Sequence, residues 1–391
     1  AAKGKAEDRW PSVLLLTGAW ACAMSVFASA VVTLSLAASP VAPPGAETLP
    51  LALALVFQGV ANLVLPAEKR CLGLKGAYVL GAVIGFLGCG LVGLGCWVQQ
   101  FGLQLFGAAC MGFSLAHAQN YRFSAVLMLP SNPPKAIGVV LFGGVVGSMT
   151  GSAGFTQAKH MLPVEFAGIY VLGAGAHTVA LVILACMSFP PVPGSTGDKA
   201  RSLGQLLRQP RCAAAVLAMA SSYGMMLVLM APSPVVMQRF YSIPYVPNTL
   251  AMMGHMACMF SPSLITGSAV NRYGPMKVIM LGVLLGFSCA LLLWWESVLW
   301  SFALGLALLG LCWNFMFLGG TAMLGSTHEA SEALKLQAVA DLIVFLTAAA
   351  ASLASMPLVL SMGWRQLQLA VMGLAVTTAL VLAVLQVLDK K

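Results

Sequence analysis

Four residues on two successive apolar segments have the types and spacing to hold a metal ion. Met226 and Met230 stand four apart on one segment, and His255 and Met259 four apart on the next. Residues four apart lie on one face of a helix, a turn above one another. Each segment therefore offers two soft or borderline donors in one direction. The pairs are mirror-placed about the polar stretch Arg239–Asn248, which carries Pro244 and Pro247. Folded as an antiparallel pair about that stretch, the segments bring Met226 level with Met259 and Met230 level with His255. Thioethers and a neutral imidazole suit a soft cation, above all Cu(I).

Packing is the competing reading. With 22 methionines in the chain, single Met-x-x-x-Met pairs arise by chance, and two more stand at Met252/Met256 and Met276/Met280. Methionine also fills irregular core gaps. The histidine is harder to dismiss, because there are only five and an imidazole inside a lipid-spanning segment needs a partner. Pro232 and Pro234 follow Met230, and Pro262 follows Met259. A proline inside a helix removes one donor and blocks the carbonyl four residues back, so both helices should break beside the candidate ligands. Broken helices are where transporters place their cargo, since freed backbone groups can line a cavity.

Other residues carry weaker signals. Arg122 and Asp341 are the charges inside apolar segments of opposite halves, and a pair between them would act as a gate; local bonding is the alternative. His117 and His177 could line a cavity, whereas His160 and His328 fall in loops. Cys22, Met24, Met316 and Met323 could relay a soft ion, but core packing explains them better. Gly143, Gly147 and Gly151, with Ser148 and Ser152 beside them, form a small-residue stripe that reads as close helix packing. The ten cysteines are scattered without a CxxC pair, which gives no disulfide framework.

The elements that must position these residues follow from composition. The chain has 391 residues, 60% of them apolar and 8% charged, with a mean hydropathy of +0.92. Apolar runs long enough to cross a bilayer recur along it. They delimit twelve spans: 12–38, 48–66, 76–97, 101–124, 135–157, 163–189, 212–238, 246–269, 276–296, 298–325, 334–358 and 365–388. A polar stretch at 190–211, rich in Pro and Gly, separates a six-helix half at 1–189 from another at 212–391. With both termini on the cytoplasmic side, the lysines and arginines fall on that side, except Lys159, Arg239, Arg365 and the intraspan Arg122. The net charge of +9 thus belongs to short loops and is no nucleic-acid footprint. The chain opens at Ala1 without Met, as a processed targeting segment or a trimmed edge would leave it. No phosphate-binding GxxxxGK[ST] loop and no hydrolytic constellation occur, so neither a pump nor an enzyme is expected.

This all-α, twelve-helix, two-half pattern resembles the major facilitator superfamily. Gly267-Ser-Ala-Val-Asn271-Arg272-Tyr273-Gly274-Pro-Met-Lys277 is similar to that superfamily's Gly-x-x-x-Asp-Arg-x-Gly-x-x-Lys/Arg signature, with Asn271 in place of the acid. The matching stretch after the second span, Pro66 to Lys75, is degenerate. Ser222 to Pro234, His255 to Gly267, Gln119 to Ala125, Trp313 to Gly320 and Gln337 to Asp341 resemble the CcoA-like copper importers, which share their scaffold with riboflavin carriers. That resemblance implies a multi-pass protein of a bacterial inner or organellar membrane. It implies Met226, Met230, His255 and Met259 as metal ligands, with copper as transported substrate and no permanently bound cofactor. It also implies cuproprotein assembly as the purpose, with a copper chaperone or assembly factor as partner beside the lipid bilayer. The rivals are an organic-substrate carrier of riboflavin type and a transport-inactive accessory subunit of a membrane complex.

Overall fold

A computed structural model describes residues 8–131, 133–190 and 201–389. In chain order the α-helices are α1 (Trp10–Ala38), α2 (Leu49–Trp97), α3 (Phe101–Gln119), α4 (Tyr121–Met128), α5 (Pro133–Met149), α6 (Ala167–Cys186) and α7 (Leu203–Leu207). They continue with α8 (Pro210–Met230), α9 (Ser233–Arg239), α10 (Tyr245–Phe260), α11 (Ser263–Tyr273), α12 (Pro275–Trp295), α13 (Leu299–Gly325), α14 (Ala330–Met362) and α15 (Trp364–Asp389). No strand occurs among the described residues. Past α5 the chain winds through a π-helical turn, Thr150–Gly154, and a 3-10 turn, Phe155–His160.

Ten helical stretches are long and apolar enough to cross a membrane. One of them, α2, has 49 residues and would be about 74 Å long if straight, against a hydrocarbon core of about 30 Å. It holds two spans, divided at Gly73 (φ 71°, ψ 174°). The broken pair α10–α11 supplies a further span that neither piece could make alone. With these the described helices give the twelve spans expected.

Gly73 has a counterpart. Gly274 (φ 85°, ψ 151°) ends α11, and Pro275 then opens α12. Both glycines sit at positive φ, where a Cβ is strained. The degenerate stretch after the second span thus keeps the backbone turn of the signature while losing its side chains.

The chain divides into two compact units. The first comprises Ala1–Ala30 with Val60–Pro193, the second Val31–Gly59 with Gly194–Lys391. Residues 31–59 therefore belong with the second unit, whereas the sequence reading kept them in the first half. The reason is local packing: a Cβ on Gly59 would lie 3.5 Å from Phe345, and one on Gly45 3.7 Å from Pro357. Much of the 190–211 linker, like Lys3, Lys5, Lys390 and Lys391, lies outside the described residues. Where the linker re-enters, Arg201 grips Glu332 at the start of α14, with Nη2 2.7 Å from Oε2 and Nε 2.8 Å from Oε1.

Inside the first unit, the glycine stripe does what its spacing suggests. A Cβ on Gly143 would stand 2.5 Å from the Thr17 carbonyl, and Cβ atoms on Gly147 and Gly151 would overlap the Ala21 and Ser25 carbonyls. The stripe is the seam by which α5 lies against α1.

Candidate functional site

In the second unit, the prolines break both helices beside the candidate ligands. Helix α8 stops at Met230 and resumes as α9 after Pro232; α10 stops at Phe260 and resumes as α11 after Pro262. Side chains reclaim the interrupted backbone. Ser233 Oγ donates to the Leu229 carbonyl at 2.6 Å. Asn314 on α13 donates from Nδ2 to the Met259 carbonyl at 2.7 Å and to Ser263 Oγ at 2.9 Å. Its Oδ1 accepts from Thr266 Oγ1 at 2.6 Å. The second break is thereby held open and rigid.

Two contacts bear on how the helix pair runs. Asn248 Nδ2 donates to the Pro234 carbonyl at 2.8 Å, and Tyr223 and Phe260 share one neighbour, Trp313. The two contacts set α8–α9 and α10 antiparallel. Helices α8 and α10 share no extended interface; each packs along α13. The sequence could not show this, because α13 lies about fifty residues downstream of α10.

Met226, Met230, His255 and Met259 are all buried. His255 Nδ1 meets the Leu306 carbonyl at 2.7 Å. A carbonyl only accepts, so in the neutral ring the hydrogen sits on Nδ1 and Nε2 keeps a lone pair. That Nε2 is buried with no hydrogen-bond partner. Among the described residues, no group of three or more His, Cys, Asp or Glu could hold a metal ion.

The sequence reading missed the aromatic group around Trp313. The Tyr223 ring lies edge-on to Trp313, Phe317 and Phe345 at centroid distances of 5.5, 5.4 and 5.5 Å. Trp313 stacks on Phe317 at 4.9 Å and meets Phe260 at 5.8 Å. Trp313 is 5% exposed, yet its Nε1–H has no acceptor. A buried donor left unpaired costs about 1–3 kcal/mol. An unpaired donor on Trp313, among aromatic rings, and an unpaired acceptor on His255 therefore stand on the packed helices α13 and α10. The signal was present in Tyr223, Trp313 and Phe317, but their meeting depends on helices far apart in the chain.

In the first unit, one group of buried polar side chains on α2 and α3 is matched, whereas Trp20 Nε1 and Ser152 Oγ are not. His117 is fully buried and its Nε2 lies 2.7 Å from Glu68 Oε2. Lys69 Nζ donates to Asn120 Oδ1 at 2.8 Å, and Tyr78 OH donates to the Asn120 carbonyl at 3.1 Å. Asn120 sits at the junction of α3 and α4, inside the Gln119–Ala125 stretch. Glu68 escaped the sequence reading because it was placed in a loop; α2 runs on past Pro66 and carries it inside a helix. Arg122 is half-buried in this unit, its guanidinium 4.8 Å from the Phe123 ring centroid. Asp341 is half-buried on α14 of the other unit.

No family model matches the chain. The riboflavin transporter RfnT of Brucella anthropi is 33% identical over 333 residues, which cover 82% of each chain. The MFS-type transporter YddS of Bacillus subtilis is 25% identical over 327 residues, 77% of this chain and 74% of that one. Among solved structures, the nucleoside transporter NupG overlays with a TM-score of 0.74 at 13% identity, over 96% of this chain and 99% of that one. A peptide transporter of the POT family gives 0.72 at 12% identity, over 97% of each.

The protein is a multi-pass membrane transporter of the major facilitator fold. It belongs to the major facilitator superfamily. The relative at 33% identity is a riboflavin transporter, so the likeness supports the scaffold common to the copper and riboflavin groups and not the copper group in particular.

Proposed function

We propose that this transporter carries a planar, uncharged heteroaromatic molecule of the riboflavin class by alternating access. The observation that carries the reading is the Trp313 group, with its buried aromatic faces and unpaired indole donor; the unpaired imidazole acceptor of His255 lies on the neighbouring helix of the same unit. Stacking and edge contacts between such rings add about 0.5–1.5 kcal/mol beyond their area burial. A flavin ring system has carbonyls to accept from Trp313 Nε1 and an imide N–H to donate to His255 Nε2. Each contact would satisfy an atom that is otherwise orphaned, so the substrate itself offsets that cost. The likeness to a riboflavin transporter over four-fifths of the chain supports the same class.

Uptake of labelled riboflavin into proteoliposomes tests it. Wild type should take up riboflavin saturably, and excess unlabelled riboflavin should compete. Absence of saturable uptake by a correctly folded protein would end the reading.

A second reading keeps Met226, Met230, His255 and Met259 as Cu(I) ligands, with the partners that copper delivery requires. Its support is the free lone pair on His255 Nε2 in a methionine-rich interior. Labelled Cu(I) in the same vesicles decides between the two. The gating pair Arg122–Asp341 remains a proposal of either reading, tested by comparing single neutralisations with an exchange of the two charges.

A further inference from the structure

Sulfur atoms from three helices of the second unit gather on the side of α13 turned away from His255. Cys312 Sγ lies 3.6 Å from Met316 Sδ, one turn further along α13. Gly286 of α12 faces them: a Cβ there would stand 2.8 Å from Cys312 Sγ and 3.6 Å from Met225 Sδ of α8. Cys289 follows Gly286 by three residues, on the same face of α12. Its thiol is near enough to that of Cys312 to interact with it electrostatically. Met225, Cys289, Cys312 and Met316 are all fully buried.

Local sequence explains how they meet. Gly282 and Gly286 take side chains off the face of α12 that meets α13, and a Cβ on Gly282 would lie 2.6 Å from Met316 Cγ. The helices can therefore close until sulfur reaches sulfur. This face of α13 is not the one that meets α10. The Leu306 carbonyl takes His255 Nδ1 at 2.7 Å, and a Cβ on Gly310 would overlap the His255 carbonyl. Cys312 stands two residues past Gly310, about 200° further round the helix. The body of α13 thus lies between the sulfur group and His255.

Packing alone asks only for volume and apolarity, which Leu, Val or Ala would also supply. The donor types and their spacing go further. An ion bonded at about 2.3 Å to both Cys312 and Met316 would see the two sulfurs at about 100°, close to the tetrahedral angle. Such a bond is shorter than a van der Waals contact, so the ion fits where a methyl group on Gly286 does not. Thiolate and thioether donors select Cu(I) over hard cations. The charge also balances. One thiol S–H bond breaks as the sulfur–metal bond forms, and the proton leaves to water. A monovalent cation and one thiolate leave the apolar interior neutral. No oxidation state changes.

We propose that Met225, Cys289, Cys312 and Met316 form a binding site for one soft monovalent cation, Cu(I), which staples α8, α12 and α13 together. The site stands on its own observations, whichever substrate the carrier moves.

Cu(I) itself is the probe. It is supplied under reducing conditions, from a chromophoric chelator, to the purified, detergent-solubilised full chain. Cys71 and Cys186 are exposed, so the background protein carries Cys71→Ser and Cys186→Ser. It should show a near-ultraviolet thiolate-to-copper band that saturates at one equivalent, and a higher melting temperature with copper bound. Cys289→Ala with Cys312→Ala should lose the band. Copper held by Met226, Met230, His255 and Met259 has no thiolate, so Met226→Leu with His255→Ala should keep the band in full.

Should the double alanine variant not fold, Met225→Leu with Met316→Leu decides, since it conserves volume. That variant should give its thiolate-bound copper up to the chelator at concentrations where the background protein retains it. Absence of the band in the background protein would overturn the site. So would an undiminished band without Cys289 and Cys312, an undiminished affinity without the Met225 and Met316 thioethers, or loss of the band in Met226→Leu with His255→Ala.

Discussion

Glu68 and His117 in the first unit meet at 2.7 Å, and the Lys69, Tyr78 and Asn120 side chains beside them find partners. In the second unit, Trp313 Nε1 and His255 Nε2 are as deeply buried and have none. Both interiors bear polar groups in apolar surroundings; the Glu68–His117–Asn120 cluster satisfies its members internally, and Trp313 and His255 leave one atom each open. A satisfied network holds its helices in one arrangement. An unsatisfied buried group gains on binding something that brings its missing partner.

The contrast breaks most readily at the backbone seam of the first unit. Gly151→Ala puts a methyl group on the Ser25 carbonyl, and overpacking of this kind costs about 1–3 kcal/mol or more. The variant should show the largest loss of folded protein, read as yield and melting temperature. A normal melting temperature would mean that α1 and α5 are not locked there.

Trp313→Leu should leave folding nearly intact and weaken riboflavin uptake about tenfold, as loss of stacking and one hydrogen bond together predicts. Trp313→Phe keeps the ring and removes the N–H, so it should lie between the two. Equal uptake by Phe and Leu variants would show that the ring alone contributes nothing.

A pH effect on stability is expected outside the spans. The Arg201 hydrogen bonds and pairing hold the Glu332 carboxyl down at about 2. A carboxylate with a lowered folded value contributes stability that is full above its ordinary value near 4.5 and vanishes as pH falls through about 2. Glu332→Gln should therefore lower the melting temperature at neutral pH and have little effect near pH 2. A difference that stays constant with pH would contradict the ion-pair account.

The smallest effect is expected from Met226→Leu with Met230→Leu. Such volume-conserving changes cost below about 1.5 kcal/mol each, and riboflavin uptake should barely change. A selective loss of Cu(I) uptake in this variant would favour the copper reading.

Some of this was legible in the residues themselves. Apolar runs and loop charges give membrane spans, because length and hydropathy act locally. Pro232 and Pro262 give the helix breaks, because a missing N–H acts within one turn. The stripe Gly143, Gly147 and Gly151 gives a packing seam, because its spacing matches a helix face. The twelve-span scaffold followed from the same local rules.

Tertiary structure alone decided the rest. Trp313 comes between Tyr223 and Phe260 only because α13 packs on both α8 and α10. Glu68 reaches His117 only because α2 continues past Pro66 to its break at Gly73. Residues 31–59 join the second unit only through contacts such as Gly59 against Phe345. In each case the partners are tens to hundreds of residues apart. Local propensity sets where a helix begins and breaks; which faces then meet is set by packing over the whole fold.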